Sequence, residues 1–144
     1  MNGGKPAEKI KQNKMSARKL AIAFSIFILL IIITADLGYL RFVFCFIHQF
    51  ENLDKVLHFL LIGILTYLVS AGLIESFPNM KLKLIVYRTI IFMLVFFTIE
   101  ELSQLTIRGR SFSLIDLGAN YLGILVFGFL AWRKYSRTKK ETDS

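Results

Sequence analysis

Cysteine, proline and acidic residues are scarce in this chain of 144 residues, and each scarcity removes a class of protein. The one cysteine, Cys45, has no partner for an intrachain disulfide, so the fold is held without a covalent staple. The two prolines, Pro6 and Pro78, fall outside every long apolar run. Those runs therefore read as unbroken helices, without the interruptions that mark substrate sites in many transporters. No G-x-S-x-G or P-loop pattern occurs, which leaves serine-esterase and nucleotide-hydrolysing readings without support. A ligand pair such as H-E-x-x-H is missing too, and neither a metal nor a cofactor is expected. There is no internal repeat, no low-complexity segment of useful length and no soluble domain.

Apolar residues are abundant: 55% of the chain is hydrophobic and 14% aromatic, more than a soluble domain of this size can hide. Lipid is the expected solvent. Ten acids stand against eighteen bases, a formal net charge of +8. On a soluble protein that excess would suggest nucleic acid. Here the bases crowd beside hydrophobic runs and read as topology signals and lipid-headgroup contacts, so membrane lipids are the expected partners and nucleic acid is not.

The expected fold is all-α, an integral membrane four-helix bundle. Residues 1–19 form a basic tail, and 20–40 a first span long enough for a hydrocarbon core of about 30 Å. A basic tail before an apolar run also describes a signal peptide. The long apolar stretch and the poor cleavage site at Ile33-Thr34-Ala35 favour a retained span. Arg41 to Asp54 is an aromatic connector, with Arg41 to Phe50 read as an interfacial helix. Further spans cover about 56–74, 84–105 and 117–132, the membrane domain runs over 20–132, and 133–144 is a second basic tail. Fourteen of the eighteen bases lie in the two termini and the Glu75 to Arg88 region, which puts both termini in the cytoplasm.

With that orientation the unusual polar residues converge on one depth near the outer surface. Asp36 lies near the outer end of the first span, and Asp54, Lys55 and His58 open the second, with Asp54 and His58 on one face at i, i+4. Glu101 and Gln104 close the third, and Asp116 and Asn120 open the fourth, again at i, i+4. Lys55, Arg108 and Arg110 sit above this layer. Each element also has an ordinary structural reading. Asp116 is a first-turn acid facing a helix dipole, Ser113 a capping hydroxyl, and His58 and Asn120 interhelical hydrogen-bonding groups. Glu101 is the strongest single signal, because an acid one turn into lipid pairs, protonates or works. Glu100 is expected to face the loop or pair with a base, and Gly118, Gly123 and Gly128, with Ala119, to be close-packing positions.

The set Asp54-Lys55-x-x-His58-Phe59, Glu101-x-x-Gln104 and Arg110-Ser-Phe-Ser-x-x-Asp116-x-x-x-Asn120-x-x-Gly123 resembles the VanZ-like family of small bacterial membrane proteins. The likeness covers about Asp54 to Gly128, in the family's order and approximate spacing, and departs from it at Ile107-Arg108-Gly109, where the family often has a proline. It implies a multi-pass protein of the bacterial cytoplasmic membrane with a cell-envelope role, linked to resistance to teicoplanin-type glycopeptide antibiotics. Carried over, the polar motif positions fall on Asp54, Lys55, His58, Glu101, Gln104, Arg110, Asp116 and Asn120.

Two functions stay open at this level. One is an outward-facing polar cleft that binds an anionic or lipid-linked envelope group, such as a lipid-linked cell-wall precursor, through Lys55, Arg108 and Arg110. The other is a membrane-embedded hydrolase or transferase acting on such an intermediate, with His58, Glu101 and Asp116 as candidate acid/base groups. Proton- or cation-coupled transport is disfavoured by four short spans without a broken helix. An anchor with an interhelical polar network is the plainest reading.

Overall fold

The computed structural model describes residues 16–40, 42, 52–107 and 112–142, the last four as backbone alone. Among them are four long helices: α1 (Ala17–Asp36), α2 (Leu53–Ser76), α3 (Leu82–Ser103) and α4 (Leu114–Thr142), with a short 3-10 turn at Gln104–Thr106. No strand occurs among the described residues. All four helices are long and apolar enough to cross a membrane, the architecture of a multi-pass membrane protein. At about 1.5 Å per residue each is roughly 30 Å or longer. Their outer faces carry large exposed apolar side chains such as Ile22, Phe92, Ile99 and Leu122, as a bilayer requires and water penalises.

Helix α2 is the hub: it packs against α1, α3 and α4, while α4 also packs along α3. The start of α1 meets the end of α2, where Ser16 Oγ donates to Glu75 Oε2 at 2.7 Å and the Arg18 N–H donates to the same oxygen at 2.9 Å. The bundle is therefore antiparallel at that pair, and the start of α2 lies beside the end of α1. Its centre is a cluster of Ile28, Ile62, Leu65, Met93, Phe97 and Ile124, drawn from all four helices.

The helix ends explain where the expected spans and the observed helices differ. The first span was expected to run to Leu40, yet α1 stops at Asp36. Gly38 there adopts φ +79, its N–H donates to Ala35 O and the Tyr39 N–H to Thr34 O, the paired bonds of a Schellman termination that glycine makes accessible. The fourth span was expected to end at Trp132, but α4 continues through Thr142. Nothing after Gly128 breaks a helix, and its lysines and arginines are good helix formers that suit a helix C-terminus. The expected interfacial helix at Arg41 to Phe50 lies outside the described residues, Phe42 excepted.

Close approach between α2 and α4 depends on glycine. A Cβ at Gly123 would strike the Phe59 carbonyl oxygen and crowd the Gly63 amide at 3.2 Å, so the two backbones are in contact there. Gly128 lies against Ile90, at 2.8 Å from an added Cβ. Gly118, expected to serve the same purpose, is exposed with nothing within 4 Å, because it points away from both neighbours.

Gly123→Ala is expected to destabilise the bundle by about 1–3 kcal/mol, since backbone cannot yield as a side chain can. Gly118→Ala should be neutral or stabilising by about 0.5–1 kcal/mol through helix propensity. Thermal unfolding of both variants in detergent, followed by circular dichroism, checks the contrast.

Candidate functional site

The polar residues expected at one depth do meet, at the end of the bundle where α2 and α4 begin and α3 finishes. His58, in the second turn of α2, faces Asn120 in the second turn of α4, with 3.2 Å between His58 Nδ1 and Asn120 Oδ1. Asn120 Oδ1 is an acceptor, so His58 Nδ1 is the donor of this contact. Asn120 is fully buried, at 0% exposure, and its Nδ2 has no hydrogen-bond partner among the described residues.

Glu101 and Gln104 are equally enclosed, at 1% and 4% exposure. The Glu101 carboxylate is engaged at both oxygens. Oε1 accepts the backbone N–H of Ser113 at 2.9 Å, and Oε2 accepts from Gln104 Nε2 at 3.2 Å. Gln104 Nε2 also donates to Glu100 Oε1 at 3.1 Å, so one amide bridges two neighbouring acids.

Ser113 is the N-cap of α4. Its carbonyl accepts the Leu117 N–H, the first bond of the helix, and its Oγ accepts the Asp116 N–H at 3.2 Å. In a capping box the acid three residues on would reach back to the cap's own N–H. Glu101 of α3 has taken that N–H instead. Asp116 is thereby released from capping, and its Oδ1 is buried with no hydrogen-bond partner among the described residues. One helical turn of α4 thus presents a buried acceptor at Asp116 and a buried donor at Asn120 that have no partner among the described residues.

Beside this polar floor opens a cleft of about 390 Å³ between α1, α2 and α3. Phe27, Ile31, Ile32, Leu61 and Phe97 give it apolar walls, and Asp54, His58 and Glu100 are its ionisable lining. Lys55 lies next to Asp54, with Nζ 3.2 Å from Oδ1 and both side chains partly exposed. Exposed pairs of this kind contribute little to stability. Among the described residues no cluster of three or more metal-ligating side chains occurs.

Of the expected site residues, His58 joins Asn120, and Glu101 joins Gln104 and the start of the Asp116 helix. Asp54 lines the cleft, and Lys55 is ion-paired with it. Arg108 and Arg110 lie outside the described residues. Glu100 lines the cleft and accepts from Gln104, a contact that the expectation of a loop-facing or base-paired acid did not include. Its i, i+4 relation to Gln104 was the available signal, hidden by the closer Glu101 motif. The wall supplied by α1 was also missed, because residues that are merely apolar carry no mark of the partner they face.

Glu101→Ala leaves the Ser113 N–H and one Gln104 donor unsatisfied in a buried place, and is expected to cost about 1–3 kcal/mol of stability. Glu101→Gln keeps an acceptor for Ser113 and should fall between alanine and the parent in detergent unfolding. No family model matches the chain, and neither the curated proteins nor the solved structures contain a significant match to it.

Proposed function

We propose that this chain is a VanZ-like protein of the bacterial cytoplasmic membrane, with both termini cytoplasmic, whose outward-facing cleft binds an anionic, lipid-linked envelope group. The observation that carries the reading is the junction of an apolar cleft with an anchored imidazole. His58 lines the cleft while Asn120 holds its Nδ1, which leaves Nε2 as the ring nitrogen for a ligand. An amphiphile matches this arrangement, with hydrocarbon between Phe27, Ile31 and Leu61 and a polar head near Asp54 and His58, beside the Lys55 that pairs with Asp54. Asp54 and Glu100 would repel an anion by themselves. Lys55, Arg108 and Arg110 supply the opposing charge, Arg110 by bidentate contact with phosphate or carboxylate. The link to teicoplanin-type resistance rests on the family resemblance alone.

A polyisoprenyl phosphate is the probe of choice. Purified protein in detergent is expected to bind it with salt-sensitive affinity, and Lys55→Ala with Arg110→Ala to weaken binding at least about tenfold, each lost charge-assisted contact being worth roughly 1.5–3 kcal/mol. Unchanged binding in the double variant would refute the reading.

A second reading, a hydrolase or transferase acting on a lipid-linked cell-wall intermediate, is favoured by the same His58–Asn120 contact. With Nδ1 engaged by Asn120, Nε2 is the ring nitrogen left for proton transfer, the arrangement that a general base requires. In that reading Glu101 is a positioning group, since both its oxygens are engaged, and Asp116, with an unpartnered oxygen, is the better acid/base candidate. His58→Ala and His58→Gln separate the two. Turnover of the lipid-linked probe should vanish in both variants if His58 is a base, whereas simple binding should survive in the glutamine variant.

A further inference from the structure

The opposite end of the bundle carries a second groove, larger than the first and different in charge. It is an open groove between α3 and α4 of about 810 Å³. Leu84, Ile90, Leu125 and Phe129 form its apolar walls, and Lys81, Lys83, Tyr87 and Trp132 complete the lining. Lys83 Nζ stands 6.0 Å from the centre of the Trp132 ring, a cation–π distance. Among the described residues no carboxylate lines the groove. Glu75, an acid at this end, is hydrogen-bonded to Ser16 and to the Arg18 N–H at the start of α1.

The groove opens on the flank of helices long and apolar enough to cross a membrane, so hydrocarbon is the medium that meets its walls. Two lysines and an amphipathic aromatic pair at a span's end place the polar part of an occupant at headgroup depth. We infer that this groove is a binding site for an anionic phospholipid, with acyl chain against Leu84, Leu125 and Phe129 and headgroup phosphate held by Lys81 and Lys83. A zwitterionic lipid fills the same walls, but it brings a positive group towards two lysines that no acid in the groove offsets. The inference concerns the far end of the molecule and is independent of the ligand proposed for the His58 cleft.

Trp132 is the only tryptophan of the chain, which makes it a reporter of this groove. The full chain is reconstituted in nanodiscs in which phosphatidylglycerol or phosphatidylcholine with brominated acyl chains replaces unlabelled lipid stepwise. Brominated phosphatidylglycerol is expected to reach half-maximal quenching of Trp132 at a mole fraction at least about fivefold lower, the worth of a single lysine near a membrane surface. High salt should shrink the preference, and Lys81→Gln with Lys83→Gln should abolish it. Both lysines are exposed, so the double variant is expected to fold, and circular dichroism checks this. Equal quenching by the two lipids in the parent protein would overturn the inference, as would a preference that persists in the folded double variant. The salt response of the parent decides the matter without any variant.

Discussion

A buried carboxylate that caps a neighbouring helix is the interaction on which this bundle depends. The first N–H groups of any helix lack partners within it, and hydrocarbon offers none. Glu101, at the end of α3, meets that need for α4 by accepting the Ser113 N–H, while Ser113 Oγ accepts from Asp116. Glu75, exposed at the end of α2, accepts from Ser16 Oγ and from the Arg18 N–H at the start of α1. In both cases the acid lies where one helix stops and its antiparallel neighbour starts. The negative charge therefore faces the positive end of a helix dipole. Four apolar helices have little to distinguish one packing from another by hydrophobicity alone. These two carboxylates specify which ends belong together.

The arrangement at Glu101 has a chemical consequence. Because the cap's N–H is taken from outside, Asp116 is no longer needed to close its own capping box, and one of its oxygens is buried with no partner among the described residues. One turn deeper, Asn120 holds His58, and its Nδ2 has no partner among the described residues. A buried polar group left unsatisfied costs roughly 1–3 kcal/mol, which makes this turn of α4 the place to look for a ligand or a further contact. The glycine contact at Gly123 allows this geometry by letting α4 approach the Phe59 carbonyl of α2, which brings His58 and Asn120 within hydrogen-bonding reach.

Much of this was legible from residues alone, for reasons that differ by element. Long apolar runs announce spans because few other solvents suit them, and the convergence of His58, Glu101, Gln104 and Asn120 followed from counting residues inward from each span's end. Spacing also placed Ser113 as a cap and Glu101 as an acid that needs a partner. Glu100 points about 100° away from Glu101 on the helix, and only the packing of α1 reveals that a cleft lies in that direction.

Sequence by itself determined the four apolar helices and set the polar residues at the span ends, since these depend on composition and on distances along one chain, whereas the stop of α1 at Asp36, short of the expected Leu40, came only with the structure. Tertiary structure alone decided that Glu101 rather than Asp116 serves the Ser113 N–H, that Gly123 and not Gly118 is pressed against a neighbour, and that α1 closes an apolar cleft over His58. Those outcomes depend on the rotation of each helix about its axis, which is settled by interhelical contacts.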